Sequence, residues 1–270
     1  GSLATYMKWI APHFHNLPSI GWQRSLTWIG ITGLLFLPIR SSVTVAPLNT
    51  GVVYFHRTHM FPNHAGINVV WNFLKSLSTA SSLKYPEDFF VDAEIIELST
   101  PPGEPEMNHV LNVERPNILF IVLESFTAKI IEPLGGVKGV TPNLNRLLDE
   151  GLVFTKIYSS GDRTDKGIVT ILSGYPSQTK SSIIKYPEKA EGLPFLPHQL
   201  KQIGYKPTFV YGGDIGFANM ESYITMAGFD HITEDDDFDV SQSKWGVHDG
   251  VVFQRLMDEC DTASQPFFKM

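Results

Sequence analysis

The sequence of 270 residues is poor in several features that would assign it to a simple class of protein. It has one cysteine, Cys260, which excludes an intrachain disulfide and a zinc site built from several cysteines. Only 18% of its residues are charged, the net charge is −7 and no basic stripe is present, so nucleic acid is not an expected partner. Its 43% hydrophobic content is typical of a folded globular protein rather than a disordered one.

Long apolar segments are also scarce. Residues 26–39, LTWIGITGLLFLPI, carry no charge and lie between Arg24 and Arg40. This segment is shorter than the roughly 20 residues that a helix needs to span a bilayer. We therefore assign residues 1–40 to a membrane-proximal or partial transmembrane segment. A buried or interfacial helix is the alternative that these residues alone leave open.

The most informative segment is residues 115–126, RPNILFIVLESF. A mostly apolar run, residues 117–123, leads directly into Glu124. Such a run predicts a central strand that is buried on both faces, as in a parallel sheet under helices. Open α/β sheets place their chemistry at the carboxyl ends of their strands, so Glu124 is a candidate site residue.

Strands and helices alternate after Glu124, which favours a doubly wound, mainly parallel α/β fold. The predicted helices are residues 143–150, 164–171, 195–203, 219–226 and 247–259. The predicted strands are residues 152–158, residues 207–211 and a strand that begins near residue 265. Upstream, a short helix is predicted at residues 68–77 and a proline-rich linker at residues 99–114. We assign residues 41–115 to a strap that packs on a catalytic domain, residues 116–270.

Thr164 is the second candidate site residue, in a glycine-bounded turn. It is predicted to begin a helix, whose free N–H groups and positive dipole end favour an anion. Arg163 and Lys166 add positive charge on either side. A divalent ion held by Glu124 would activate the weakly nucleophilic hydroxyl. The alternative roles are a polar strand-end residue for Glu124, a helix N-cap for Thr164 and a surface cation for Arg163.

Three segments resemble the lipoteichoic acid synthase and phosphoglycerol transferase branch of the sulfatase–alkaline phosphatase superfamily: NILFIVLESF, TPNLNRLLDEGLVF and YSSGDRTDKGIVTILSGYP. The resemblance extends from about Arg40 to the end of the chain and includes the strap segments PLN and AGINVVWN. It implies a sheet of the alkaline phosphatase type, incomplete at the C-terminus, with an N-terminal helical membrane-proximal strap. It also implies that Thr164 is the nucleophile and that Glu124 and Thr164 bind a divalent metal ion, Mn²⁺ or Mg²⁺ or alternatively Zn²⁺.

The resemblance further implies a reaction and a location. The enzyme would move a phosphoglycerol-type head group from a phospholipid to a cell-envelope glycan or polymer through a phospho-threonine intermediate. It would lie at the bacterial cytoplasmic (inner) membrane, with its catalytic domain on the periplasmic or extracellular side. In the superfamily, a further Asp–His ligand pair lies downstream of the last helix. The chain as given is therefore expected to be inactive, with residues 26–39 as the end of the last membrane helix.

The loop that reads the substrate departs from the family pattern. Ala218 and Met220 stand where the Gram-positive synthases present a tryptophan and an arginine, which favours a Gram-negative relative with a periplasmic glycan acceptor. The candidate substrate-binding residues are Asp214 and Asn219 in this loop, together with Arg163 and Lys166. The alternatives are a phosphoethanolamine transferase, a sulfatase-like hydrolase, whose C/S-x-P-x-R pattern the sequence lacks, and a degenerate domain that binds glycan or lipid.

Three other groups of polar residues are not assigned to a metal. The histidines at positions 56, 59 and 64 match no ligand spacing. The acidic run of residues 234–239 is more typical of a solvated loop than of a calcium site. His248 and Asp249 precede a predicted helix, so they are not taken as the missing ligand pair.

Overall fold

The computed structural model describes residues 21–40, 49–56, 59–80, 91–99 and 110–270. The chain divides into two units, Gly1–Leu48 and Asn49–Met270. Helix α1 (Trp22–Arg40) makes up nearly all of the described part of the first unit. Within the described ranges, no helix combines the length and the apolar character needed to cross a bilayer.

The second unit is built around a four-stranded parallel sheet. Its strands are β1 (Ile118–Leu119), β2 (Lys206–Val210), β3 (His231–Thr233) and β4 (Phe267–Lys269). Their order across the sheet is β1-β4-β2-β3, and every neighbouring pair is parallel. Parallel strands need crossover connections, and helices separate these strands along the chain, which confirms the predicted α/β class. The carboxyl ends of all four strands therefore lie along one edge of the sheet.

All of the helices predicted between residues 68 and 259 are present, with ends that differ by a few residues. The helices of the second unit are α2 (Met60–Gly66), α3 (Val69–Ala80), α4 (Asp92–Ser99), α5 (Pro142–Glu150), α6 (Thr164–Ser173), α7 (Pro187–Ala190), α8 (Leu196–Gln202), α9 (Met220–Ala227) and α10 (Asp249–Thr262). Short 3₁₀ turns include Thr50–Val53 and Ile183–Lys185. The sequence did not predict α2, α4, α7 or β3. Of the predicted linker at residues 99–114, residues 100–109 lie outside the described part of the chain.

Two predictions about strands are wrong. Residues 152–158 form an exposed irregular segment instead of a strand. The strand predicted at residues 117–123 is neither central nor fully buried, because only Ile118–Leu119 is regular and residues 119–123 are 38–47% exposed. β1 is the edge strand of the described sheet and has β4 as its one neighbour there. An apolar run indicates a strand, but it does not show how many neighbours pair with it.

One hydrophobic core joins the sheet to α6 and α9. The buried residues of α6 are Asp165, Ile168, Val169 and Leu172, which recur at the spacing of one helical face. Helix α9 is buried along almost its whole length. Ser173 Oγ lies 2.6 Å from Tyr223 Oη, which links the end of α6 to α9. These contacts fix α6, and therefore Thr164 at its first position, relative to the sheet.

A short part of the strap packs on the same core. Tyr54 is fully buried, and its carbonyl accepts a hydrogen bond from Thr225 Oγ1 of α9 at 3.4 Å. The buried side chain of Asn63 both accepts from His56 N and donates to His56 O, each at 2.8 Å. Tyr54 is thus tied to α9, and Asn63 of α2 is tied to His56.

Candidate functional site

The edge formed by the carboxyl ends of the strands brings Glu124 and Thr164 together. Glu124 follows β1, and the chain then turns at Ser125, whose φ of 58° lies in the left-handed region. Thr164 is the first residue of α6 and donates a hydrogen bond from Oγ1 to Glu124 Oε1. A carboxylate and a hydroxyl that lie 40 positions apart in the sequence are therefore in direct contact at the N-terminus of a helix.

The first turn of α6 is anchored by Asp165, which the sequence did not identify as important. Its carboxylate is buried, with Oδ2 3.4 Å from Lys185 Nζ. Its carbonyl accepts a hydrogen bond from Ser182 Oγ at 2.5 Å. The positive end of the helix dipole also stabilises a carboxylate in the first turn. These contacts hold the residue next to Thr164 against the turn Ile183–Lys185.

The two cations that flank Thr164 lie in different environments. The side chain of Lys166 is only 10% exposed, and its Nζ contacts Asp162 Oδ1 at 2.7 Å and Thr179 O at 3.3 Å. The hydrogen bond from Lys166 lowers the pKa of Asp162. Arg163 is exposed and forms no ion pair within the described ranges. Arg163 is therefore the flanking cation that is available to an anion at Thr164, whereas Lys166 closes the turn before α6.

The loop after β2 forms the next part of the site and begins with Tyr211. Burial raises the pKa of the Tyr211 phenol, and the nearby carboxylates of Glu124, Asp214 and Asp235 raise it further. This shared electrostatic environment places the loop close to Glu124, although β1 and β2 are separated by β4 in the sheet. The sequence predicted that the loop beginning at Tyr211 walls one side of an anion pocket. Tyr211 is an aromatic residue at the carboxyl end of a parallel strand, which marks the start of this loop.

Asp214 and Asn219, the candidate substrate-binding residues of this loop, both have contacts within the protein. Asp214 Oδ1 accepts a hydrogen bond from Gly216 N at 2.8 Å, which is a turn contact. Asn219 is buried, and its Nδ2 donates to Ile184 O at 3.3 Å. Ala218 and Asn219 have φ values of 57° and 66°, a left-handed conformation that costs a residue other than glycine about 1–3 kcal/mol. The loop is therefore a strained segment whose shape depends on its neighbours.

With this geometry established, comparison with known proteins identifies the family. The family model described as Sulfatase matches residues 116–270. The chain belongs to the sulfatase family. Phosphoglycerol transferase I of Xanthomonas campestris pv. campestris is 30% identical to this sulfatase-family chain over 173 residues, 57% of the chain and 24% of that protein. The lipoteichoic acid synthase-like protein YvgJ of Bacillus subtilis is 23% identical over 158 residues, 56% of the chain and 25% of that protein.

A solved structure supports the same assignment. A protein in the alkaline phosphatase superfamily from Vibrio parahaemolyticus superposes with a TM-score of 0.54 at 31% identity, covering 57% of this chain and 39% of that one. The fold is therefore the α/β fold of this superfamily. The named relatives confirm the resemblance to its lipoteichoic acid synthase and phosphoglycerol transferase branch. The sulfatase-family chain spans about a quarter of the length of these curated relatives.

Members of this superfamily generally use a divalent metal ion. The Glu124 carboxylate and the Thr164 hydroxyl are hard oxygen ligands of the kind that Mg²⁺ and Mn²⁺ prefer, and they are already in contact. In the part of the chain that the structure describes, no cluster of three or more His, Cys, Asp or Glu side chains is arranged to hold a metal. Glu124 and Thr164 therefore fit part of a divalent metal site.

Carboxylates from α9 and from the segment after β3 lie near Asp214 of the loop after β2. Burial raises the pKa of Glu221 to about 7, and the nearby Glu234 and Asp214 add to this shift. Burial also raises the pKa values of Glu234 and Asp235, which follow β3. This acidic environment was not predicted for Glu221, because its negative neighbours come from separate segments of the chain.

Proposed function

We propose that the protein is a transferase that moves a phosphoglycerol-type head group from a phospholipid to a cell-envelope glycan or polymer, with Thr164 as the nucleophile. The observation that carries this proposal is the contact between the Thr164 hydroxyl and Glu124 at the first position of α6. The family match and the names of the relatives support the reaction class.

In the first step of the proposed reaction, Thr164 Oγ1 attacks the phosphorus of the donor. A bond forms between Oγ1 and phosphorus, and the bond from phosphorus to the diacylglycerol oxygen breaks. The hydroxyl proton passes from Thr164 to Glu124, which accepts its hydrogen bond, and the departing diacylglycerol oxygen takes a proton from water. In the second step an acceptor hydroxyl attacks the same phosphorus, the bond from phosphorus to Thr164 Oγ1 breaks, and Oγ1 regains a proton as the acceptor hydroxyl loses its own. This two-step route is covalent catalysis through a phospho-threonine intermediate.

The surroundings of Thr164 suit a phosphate. The first N–H groups of a helix have no intrahelical partner, so the first turn of α6 can donate to phosphate oxygens. Arg163 is an exposed cation beside this turn. A divalent ion bound by Glu124 and Thr164 would lower the pKa of the hydroxyl and neutralise charge on the phosphoryl group. Lys166 supports the turn through Asp162 and Thr179.

A phospholipid donor also implies a location for the reaction. We place the catalytic unit at the surface of the bacterial cytoplasmic membrane, on the periplasmic or extracellular side, where donor lipid and envelope glycan are both within reach. Residues 26–39 of α1 carry the apolar character that a membrane-proximal segment requires.

The proposal is tested with the full-length protein, Mn²⁺, a cell-envelope glycan as acceptor and phosphatidylglycerol labelled in its terminal glycerol. Release of diacylglycerol together with labelled glycan is the expected result. Phosphatidylethanolamine and an aryl sulfate are supplied in parallel reactions. Transfer from phosphatidylethanolamine alone would assign the protein to the phosphoethanolamine transferases, and sulfate release alone would assign it to the hydrolases. Lipid or glycan binding without turnover of any donor would indicate a degenerate binding domain.

A further inference from the structure

The strap forms a direct bridge to the loop after β2. Asn49 Nδ2 donates a hydrogen bond to Gly216 O at 2.9 Å, while Asn49 Oδ1 accepts from Gly51 N at 2.7 Å. The amide of Asn49 therefore joins two segments that are 167 residues apart in the sequence. Thr50 Oγ1, the next polar group of the strap, accepts from Asn219 Nδ2 at 3.4 Å.

The two segments are also packed tightly at Gly51. A Cβ atom at this glycine would lie 2.8 Å from Asn49 Oδ1 and 3.3 Å from Asn219 Cα. Both distances are shorter than ordinary van der Waals contact, so a larger residue here would push the strap away from the loop. The approach of the strap to the loop thus depends on the absence of a side chain at position 51.

The bridged part of the loop has an unfavourable backbone conformation. Ala218 and Asn219 are both left-handed, a conformation in which the Cβ of an L-residue approaches the following carbonyl oxygen. One strap contact lies just before this pair, at Gly216 O, and the other is made by the side chain of Asn219 itself. Without them, Ala218 in particular would favour a right-handed or extended conformation, and the loop would change direction.

We infer that Asn49 is a positioning residue that holds the loop of residues 212–219 in the shape that the site requires. The strap is then part of the site, although it contributes no group to the chemistry. The same loop positions Asp214, which accepts a hydrogen bond from Gly216 N, and the nearby Tyr211. The consequence for turnover rests on the proposed function, whereas the consequence for the shape of the loop does not.

The test compares Asn49→Ala, Ala218→Gly, the double variant and a control, Asn112→Ala, in the full-length protein. Asn112 is an exposed asparagine ahead of β1. Hydrogen exchange is measured at the amides of residues 215–221. We expect Asn49→Ala to raise exchange there about fivefold to tenfold, as the loss of hydrogen bonds of ordinary strength predicts. The double variant, which adds Ala218→Gly to Asn49→Ala, should regain most of the protection from exchange, because glycine adopts φ near +57° without strain.

A second measurement follows turnover of labelled phosphatidylglycerol. Asn49→Ala should raise the KM for the donor several-fold with a smaller change in kcat, and Ala218→Gly should reverse much of this change. Two results would overturn the inference. Hydrogen exchange could rise equally in β2 and α6, or the added Ala218→Gly substitution could fail to restore protection. Either result would show that Asn49 has only a general structural role. If the unsubstituted protein transfers no head group, the proposed function fails, and the exchange measurement still decides the role of Asn49.

Discussion

At the scale of a single residue, the side chain of Thr164 is held in a defined position by its neighbours. It is half-buried, it begins α6, and its hydroxyl is held by Glu124. Its backbone position is fixed independently by the contacts of Asp165 with Lys185 and Ser182. Loss of the hydroxyl would therefore remove the proposed attacking group and leave the surrounding structure in place.

The first prediction is that Thr164→Ala lowers head-group transfer in the full-length protein by at least about 10³-fold, as expected for the loss of a nucleophile. The stability loss should stay within about 0.5–1.5 kcal/mol, because one hydrogen bond to an exposed carboxylate is removed. Thr164→Ser keeps a hydroxyl and should retain part of the activity. Thr155→Ala, in an exposed segment, is the control. Transfer at the native rate by Thr164→Ala would exclude Thr164 as the nucleophile.

The second prediction concerns Glu221 and pH. Its pKa rises from its ordinary value of 4.5 to about 7 in the folded protein, because burial and the nearby Glu234 and Asp214 disfavour its charge. The folded state therefore binds more protons than the unfolded state between these two values, and stability falls as pH rises from about 4.5 to 7. Glu221→Gln should reduce this loss by about 1–2 kcal/mol, a figure that allows for solvent screening of a partly exposed group.

Urea denaturation at about pH 5 and pH 8 measures the effect of Glu221→Gln. The matched control is the same substitution at an exposed glutamate, Glu150→Gln at the end of α5. Equal pH dependence in the Glu221→Gln and unsubstituted proteins would contradict the assignment of this slope to Glu221.

Helix α6 connects the hydrophobic core to the candidate site at Glu124 and Thr164. Its apolar face packs in the core, while its first residue, Thr164, contacts Glu124 near the carboxyl ends of the strands. Gly174 ends the helix in a left-handed conformation, with φ of 63°, as expected for a C-terminal cap. The position of Thr164, the proposed nucleophile, therefore depends on side chains that are far from it along the helix.

The third prediction is that Leu172→Ala destabilises the protein by about 2–5 kcal/mol, the usual cost of a cavity in a packed core. Leu172 is 1% exposed and lies two turns from Thr164. Leu147→Ala in α5, where the side chain is 57% exposed, should change stability by less than about 0.5 kcal/mol. Thermal unfolding of both variants measures the difference. Similar losses from the two substitutions would show that α6 is not anchored through this face.

The elements that the sequence predicted well have local signals. α6 and α9 have an apolar period and a following glycine, Gly174 and Gly228, in the left-handed conformation. β3 has only three residues, His231–Thr233, which is too short for a clear alternation. The environments of Lys166 and Asn219 were not predictable, because their partners Thr179, Thr50 and Ile184 come from separate segments of the chain. Candidate residues can thus be found from local pattern, whereas the direction of each side chain depends on tertiary contacts.

At the scale of the whole molecule, the second unit has an exposed apolar edge. Residues 119–123 and Phe126 are 38–47% exposed, and β1 pairs only with β4 in the described sheet. Unpaired edge strands with apolar side chains promote association between molecules. This exposed segment lies directly before Glu124 in the chain.

The fourth prediction is that the 270-residue chain self-associates through this edge and that Ile121→Lys reduces the association. A charge on an edge strand opposes pairing with another chain. Trp245→Lys is the control, because Trp245 is 70% exposed but lies in a different segment. Light scattering over a concentration series compares the two variants at equal folded content. An equal reduction by Trp245→Lys would show that general apolar exposure, and not the β1 edge, drives association.

The central claim, that Thr164 carries the transferred group, is tested most directly by trapping the intermediate. The full-length protein is incubated with Mn²⁺ and labelled phosphatidylglycerol without acceptor, quenched in acid, digested and analysed by mass spectrometry. We expect a phosphoglycerol ester on Thr164 in the peptide that contains Arg163 and Asp165, and no such adduct in the Thr164→Ala protein. Release of diacylglycerol with Thr164 unmodified, or with the label on another residue, would contradict the account.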